Sequence, residues 1–368
     1  MVRMRRAVIL ALSACLGLLA SALPASAQSE RIELPPGFAV ELYAQVPNAR
    51  SLALGDGGTV FVGTRRGSAV YAVSDLDGDN VGETVRVVAR GLRMPNGVAF
   101  SGGDLYVAEV SRVLRLQDIE SNLDTPPAPE VVIDGYPDEE AHGWKYIAFG
   151  PDGWLYIPVG APCNVCESGD PFASITRVNL STGEREVYAR GIRNSVGFAW
   201  HPETGELWFT NNGRDWMGDD LPPDALNRAA APGLDFGFPY CHAGVPDPDL
   251  NPGGDCSRYE PPALALPAHV APLGMAFYSG EMFPQEYRNQ IFFAEHGSWN
   301  RSVPQGYRLI LARFQDDGSL SYEVFASGWL SDGEVWGRPV DVLVMDDGAL
   351  LVSDDKAGAL WRISRQGE

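Results

Sequence analysis

The chain has 368 residues, too many for one small core and rather few for three ordinary domains, so its length admits two domains or one large closed architecture. Glycine (41) and proline (28) mark a turn-rich globular chain rather than a disordered one. A formal charge of −20 repels phosphate backbones and anionic headgroups, which excludes nucleic-acid binding.

Residues 1–27 read as an export leader. Arg3, Arg5 and Arg6 form a basic start, residues 7–20 an apolar stretch too short to span a bilayer, and Ala25-Ser26-Ala27 a small-residue cleavage site. The expected product is one domain, 28–368, periplasmic or secreted, with no stable membrane span. Leu12-Ser13-Ala14-Cys15 also resembles a lipobox, which would anchor the chain through lipid on Cys15. The apolar run continues past Cys15, which favours the soluble product.

After the leader, 38–44 has the pattern of a strand, and then a phrase repeats. Leu52-Ala53-Leu54 with Val60-Phe61-Val62 returns as Val98-Ala99-Phe100 with Leu105-Tyr106-Val107 and as Ile147-Ala148-Phe149 with Leu155-Tyr156-Ile157. It returns again at Phe198-Ala199-Trp200, Met275-Ala276-Phe277 and Val342-Leu343-Val344, making six copies. Each copy is two apolar strands joined by a turn. Third strands follow at 68–73, 113–117, 174–179, 308–314 and 359–364, and outer strands end alike in Val88-Ala89-Arg90-Gly91 and Tyr188-Ala189-Arg190-Gly191. Four strands in each of six units predict an all-β, six-bladed β-propeller. The early strand at 38–44 is expected to complete the last blade and close the ring.

Insertions lie where the repeat stretches. Residues 211–272, between the fourth and fifth units, are rich in Pro, Gly and Asp and are expected to build the rim of the central channel. Residues just before the inner strands should converge at one channel mouth: Asn96, His142, Arg193, Asn194, His269 and Arg338. Cations gather near the same mouth, namely Lys145, Arg193, Arg214, Arg301 and Arg338. Singly, each arginine could bridge blades. Together they suit a planar polycarboxylate, because guanidinium pairs with carboxylate in bidentate fashion and stacks on flat rings. His142 is the best-placed general base, since an imidazole titrates near neutral pH.

Cys163, Cys166, Cys241 and Cys256 are disulfide candidates in an exported chain, most simply as 163 with 166 and 241 with 256. A four-thiolate zinc site is the alternative. Covalent haem is disfavoured because Glu167, not histidine, follows the pair. Asp75-Leu76-Asp77-Gly78-Asp79 opens like a calcium loop, but Asn80 and Arg86 stand where an EF-hand needs glycine and glutamate; a solvated acidic turn or a weak calcium site remain.

His142-Gly143-Trp144-Lys145, Arg193-Asn194-Ser195-Val196-Gly197, Asn211-Asn212-Gly213-Arg214-Asp215, His296-Gly297-Ser298-Trp299-Asn300-Arg301 and Gly337-Arg338-Pro339 together resemble the glucose/sorbosone dehydrogenase family. The resemblance covers nearly the whole mature chain and leans to the sorbosone and pyranose dehydrogenase branch. It implies a six-bladed propeller that oxidises the anomeric carbon of an aldose, or a sorbosone-like aldehyde, with pyrroloquinoline quinone (PQQ) and Ca²⁺. His142 would be the base and Arg193 would stabilise charge on the quinone oxygen. Asn194, Arg301 and Arg338 would hold the cofactor, with His269 and Lys145 among its surroundings. Main-chain carbonyls of Gly213 and Arg214 would hold the metal, with Asp224 and Asn227 behind that loop. Asn96 stands where the glucose branch has glutamine, so it would meet the sugar, and Trp299 and Trp336, with Trp216 and Tyr240, could stack on a pyranose face. Arg301 would replace a lysine of the glucose enzymes, and Val340 stands near the place of a second arginine. Electrons would leave to an external acceptor, a cytochrome or a quinone. Two alternatives are a lactonase-type propeller with a side-chain-held metal and a non-catalytic sugar-binding propeller.

Overall fold

The computed structural model describes residues 28–367; the expected leader, with Cys15, lies outside the described residues. Six antiparallel sheets stand around an axis. Blade 1 runs from the inner strand Ala49–Leu54 through Val60–Thr64 and Ala69–Ser74 to the outer strand Thr84–Arg90. Blade 2 repeats this from Gly97–Ser101 to Glu130–Ile133, and blade 3 from Ala148–Phe149 to Arg185–Arg190. Blade 4 is Phe198–Trp200, Leu207–Asn211, Asp224–Ala229 and Leu264–Leu266, and blade 5 spans Pro272–Phe277 to Leu320–Ala326. In blade 6 the inner strands come from the C-terminal end, and the early strand Phe38–Gln45 forms the outer edge, pairing Phe38 with Arg365 through Gln45 with Ala359. The expected closure is the one observed.

The second strand of each blade made the repeat legible because neighbouring blades cover both its faces. Val60–Thr64, Leu155–Val159, Ile291–Glu295 and Leu350–Asp354 are buried at every position, and each opens with three apolar residues in a row. Outer strands face solvent on one side, and Arg185–Arg190 shows it in its exposed ends. At the ring seam Phe38 sits edge-on to Phe283 and Phe325 of blade 5, at 4.8 and 5.1 Å between centroids.

Two local features shape the axis. Inner strands of blades 1, 5 and 6 bulge after Ala49, Pro272 and Pro339, where the register slips before Leu52, Met275 and Val342. In blades 3 and 4 the inner strand is short, which leaves the backbone of 142–147 and 193–197 irregular at the channel end. The long interval between the fourth and fifth units is not all insertion, since it contains the third strand Asp224–Ala229 and the fourth, Leu264–Leu266. The excess forms two loops, 212–223 and 230–263. Both expected disulfides are present, Cys163–Cys166 and Cys241–Cys256, which replaces the zinc alternative. Among the described residues no helix is long and apolar enough to cross a membrane.

Candidate active site

A cavity of about 390 Å³ opens at one end of the axis, lined by His142, Arg193, Asn194, His269 and Arg338 as expected. It also takes Arg50, Arg65, Arg66, Asp215 and His296, which had not been singled out. Apart from Arg50, which lies at the start of the inner strand of blade 1, their signal is positional: Arg65 and Arg66, Asn212 and Gly213, and His296 and Gly297 each follow the second strand of a blade. The channel mouth is built from both ends of each inner hairpin, whereas the expectation used only the start of the first strand. A side cavity of about 300 Å³ adjoins through the shared residues Arg50, Arg65, Arg66, His296 and Arg338. A larger recess of about 470 Å³ beside Cys241 and Cys256 has no cation in its lining and lies in the 230–263 loop.

His142 sits at the positive φ of 50° and places Nδ1 2.7 Å from the carbonyl oxygen of Ala161. A carbonyl only accepts, so Nδ1 carries the proton and Nε2 is left with the lone pair. Burial, and then the charge of Arg193, push the imidazole down to about 4, so it is neutral near pH 7. Gly160 leaves room for it: a Cβ there would lie 2.4 Å from the His142 Cβ.

Arg193 is buried and fully engaged. Nε donates to Asn164 O at 2.8 Å, and Nη2 donates to Asn164 Oδ1 at 2.9 Å and to Asp215 Oδ2 at 3.1 Å. Burial lowers the guanidinium pKa and raises that of the Asp215 carboxyl. The Asn194 amide donates to Asn211 Oδ1 and its carbonyl accepts the Asn212 amide, both at 3.0 Å. His269 turns Nε2 to the carbonyls of Gly218 and Leu221 at 2.9 and 3.1 Å.

The residues expected to form a metal loop also meet. The Gly213 amide donates to Asp224 Oδ1 at 2.7 Å and the Ala271 amide to Asp224 Oδ2 at 2.9 Å, while burial raises the Asp224 carboxyl to about 6. Asn227, also buried, has a side-chain nitrogen without a partner among the described residues. Arg214 turns its guanidinium away from the cavity to Asp247 at 2.5 Å. Burial pushes Asp247 up, but bonds from His242, the Leu250 amide and Arg214 outweigh it and leave the carboxyl at about 2.

Several expected contacts lie elsewhere. Asn96 is buried beneath the cavity, accepting from Arg50 Nε at 2.6 Å and donating to Lys145 O at 2.9 Å, so it braces Arg50 rather than facing the cavity. Lys145 is also below the lining, with Nζ 3.2 Å from Gly143 O; burial brings its pKa down to about 8. Arg301 lines a separate outer recess with Trp216 and Trp299, donating to Asp219 O and to Ala268 O at 3.5 Å. The positive φ of Gly297, 96°, turns the chain outward after His296, so the phrase that carries Arg301 begins at the axis and ends at the rim. Trp336 stacks on Trp329 at 6.4 Å and donates Nε1 to Gly328 O at 2.6 Å, away from the channel. Trp299 is exposed, lines both recess and cavity, and meets Trp216 edge-on at 5.3 Å. Tyr240 bonds Glu167 instead of facing the cavity. The Asp75 turn folds on its own amides, accepting from Gly78 and Asn80, with Asp77 and Glu83 exposed beside it.

The residues fit an anionic planar ligand. Five guanidinium groups face the cavity, and of these Arg65, Arg66 and Arg338 have no carboxylate partner among the described residues, whereas Arg50 pairs with Asp355 and Arg193 with Asp215. Arg65 lies 3.4 Å over the Trp144 ring; burial, and then the charges of Arg50 and Arg66, lower it to about 10. That excess positive charge would be relieved by carboxylates. The donors near Gly213 are oxygens, the chemistry a hard divalent cation requires.

Fold and site define a six-bladed propeller with a cationic axial cavity and a neutral histidine. The sequence model of the Glucose / Sorbosone dehydrogenase family matches residues 108–362, and the chain belongs to that family. An uncharacterized protein of Borreliella burgdorferi is 30% identical over 350 residues, 90% of each chain. A pyrroloquinoline quinone-dependent pyranose dehydrogenase of Coprinopsis cinerea is 32% identical over 124 residues, 28% of this chain and 16% of that protein. The holo PQQ domain of the Coprinopsis cinerea pyranose dehydrogenase superposes with a TM-score of 0.76 at 18% identity, covering 91% of this chain and 97% of that one. The apo soluble aldose sugar dehydrogenase of Escherichia coli gives 0.69 at 18% identity, covering 89% and 99%. At these identities the structural likeness is one of fold.

Proposed function

We propose that the protein is an exported, calcium-assisted sugar dehydrogenase that uses PQQ to oxidise the anomeric carbon of an aldose or a sorbosone-like aldehyde. The observation that carries this reading is one cavity joining a neutral, tautomer-fixed histidine to unpaired guanidiniums in a chain of charge −20. Family membership and the printed names of the Coprinopsis protein support it.

Bound PQQ would supply the acceptor for the hydride that leaves the sugar carbon. His142 Nε2 takes the proton of the hydroxyl on that carbon, which the cyclic aldose carries and an aldehyde carries as its hydrate, while the Ala161 carbonyl holds the ring in place. Arg193 presents positive charge where negative charge grows on the acceptor. Arg338, Arg65 and Arg66 would hold the cofactor carboxylates, and Arg50, braced by Asn96 and Asp355, stands behind them. Ca²⁺ at the carbonyls of Gly213 and Arg214 would add Lewis-acid polarisation, with Asp224 fixing the loop. Trp299 offers a face for the sugar at the mouth. Electrons would leave to an external acceptor, a cytochrome or a quinone.

The lactonase alternative needs a side-chain metal cluster at the cavity. Among the described residues the one close group of three carboxylates is Asp75, Asp77 and Glu83, on a surface turn. The deciding experiment is a titration of apo-protein with PQQ and Ca²⁺, followed by aldoses. Saturable binding with sugar-driven bleaching of the quinone is expected; no binding would overturn the proposal.

A further inference from the structure

We propose that Asn164, fixed inside the Cys163–Cys166 ring, is the positioning residue for Arg193 and for the Gly213–Asp215 loop, an inference that rests on the dehydrogenase reading for its catalytic meaning. The bridge encloses only Asn164 and Val165. Every polar group that Asn164 offers except its own backbone amide is directed at these two targets. Its backbone oxygen accepts Arg193 Nε at 2.8 Å, and its side-chain oxygen accepts Arg193 Nη2 at 2.9 Å and the Asp215 amide at 2.8 Å. Its side-chain nitrogen donates to Asp215 O at 3.1 Å. The Asp215 carboxylate completes the triangle with Arg193 at 3.1 Å.

The ring is seated on the same floor as the proposed base. Val165 packs against Ala161, Ala173 and Phe238, and Ala161 both accepts His142 Nδ1 through its carbonyl and donates its amide to Arg193 O at 2.8 Å. One small loop therefore sets His142, Arg193 and the metal loop in a common frame. A bridge that closes so short a loop restricts the unfolded chain least, so its effect is local rather than global. An arginine side chain has considerable rotamer freedom, and two fixed acceptors on adjoining atoms of one residue remove it.

The test compares wild type with Asn164→Ala, Asn164→Asp and Cys163→Ser/Cys166→Ser. In apo-protein labelled with ¹⁵N-arginine, exchange of the Arg193 side-chain N–H should speed up by about tenfold or more in Asn164→Ala and in the double serine variant. Tm should stay within about 3 °C of wild type. Loaded with quinone, both variants should lose about 10- to 100-fold in kcat with KM changed less than about threefold. Asn164→Asp, which still accepts from Arg193 and the Asp215 amide, should recover most of both. Combining Asn164→Ala with the serine pair should add little, because they act through one frame. Unchanged Arg193 exchange in Asn164→Ala, or additive losses, would overturn the proposal. If Asn164→Ala fails to fold, the aspartate variant and wild type with the bridge mildly reduced give the same comparison. The exchange measurement needs no quinone, so a wild type that binds none counts against the dehydrogenase reading alone.

Discussion

Asp341, on the innermost strand of blade 6, accepts the backbone amide of Leu52 in blade 1 at 2.8 Å, so the first and last blades share a hydrogen bond beside the axis. Burial lifts this carboxyl to about 7, far above an unfolded aspartate. The folded chain thus keeps a proton that the unfolded chain releases above about pH 4, and stability from this site is present in acid and lost as pH rises to about 7. The Tm of wild type minus that of Asp341→Asn should fall by a few degrees between about pH 5 and pH 8. A flat difference would mean that Asp341 is ionised in the fold.

For His142 the sign runs the other way. A base held down to about 4 is disabled only when it gains a proton, so turnover should fall below about pH 5, not near the ordinary imidazole value of about 6.5. His142→Ala should keep quinone binding and lose about 10²- to 10⁴-fold in kcat, read by stopped-flow bleaching.

Gly160→Ala adds one methyl group with no positive φ to strain the backbone, yet that methyl would lie 2.4 Å from the His142 Cβ and 2.9 Å from its carbonyl. Activity should drop about tenfold or more while Tm moves by only a few degrees. Wild-type activity in this variant would show that the histidine loop adapts freely.

The cationic lining can be divided by substitution. Arg65→Ala or Arg338→Ala should weaken quinone binding by about 10- to 100-fold, the loss of a charged hydrogen-bonding partner. Arg301→Ala should change it by less than about twofold, because that side chain lines the outer recess. Equilibrium absorbance titration separates the two outcomes.

The ring of blades was legible because second strands such as Val60–Thr64 are covered on both faces and open with three consecutive apolar residues. Asp224–Ala229 escaped notice for the opposite reason. It buries Asp224 and Asn227 beside the cavity, so polar residues stand where a strand would otherwise be apolar. His142, Arg193 and Arg338 were found from their place before inner strands, while Arg65 and His296 follow second strands and needed the hairpin's other end. Asn164 gave no signal beyond its position between two cysteines. Arg301 was misplaced because linear distance from His296 does not show the turn at Gly297.

The pairing of Phe38–Gln45 with Ala359–Arg365 also sets an order of events in synthesis. The early strand must wait for its late partner, because Ala359–Arg365 is synthesised more than three hundred residues after it. Individual blades can form as they appear, but the axial cavity cannot: Arg50 belongs to blade 1 and Arg338 precedes blade 6, and they come together only when the circle is complete. The axial cavity is thus a property of the closed ring, and a chain cut short before blade 6 would carry most of the blades without the complete cavity.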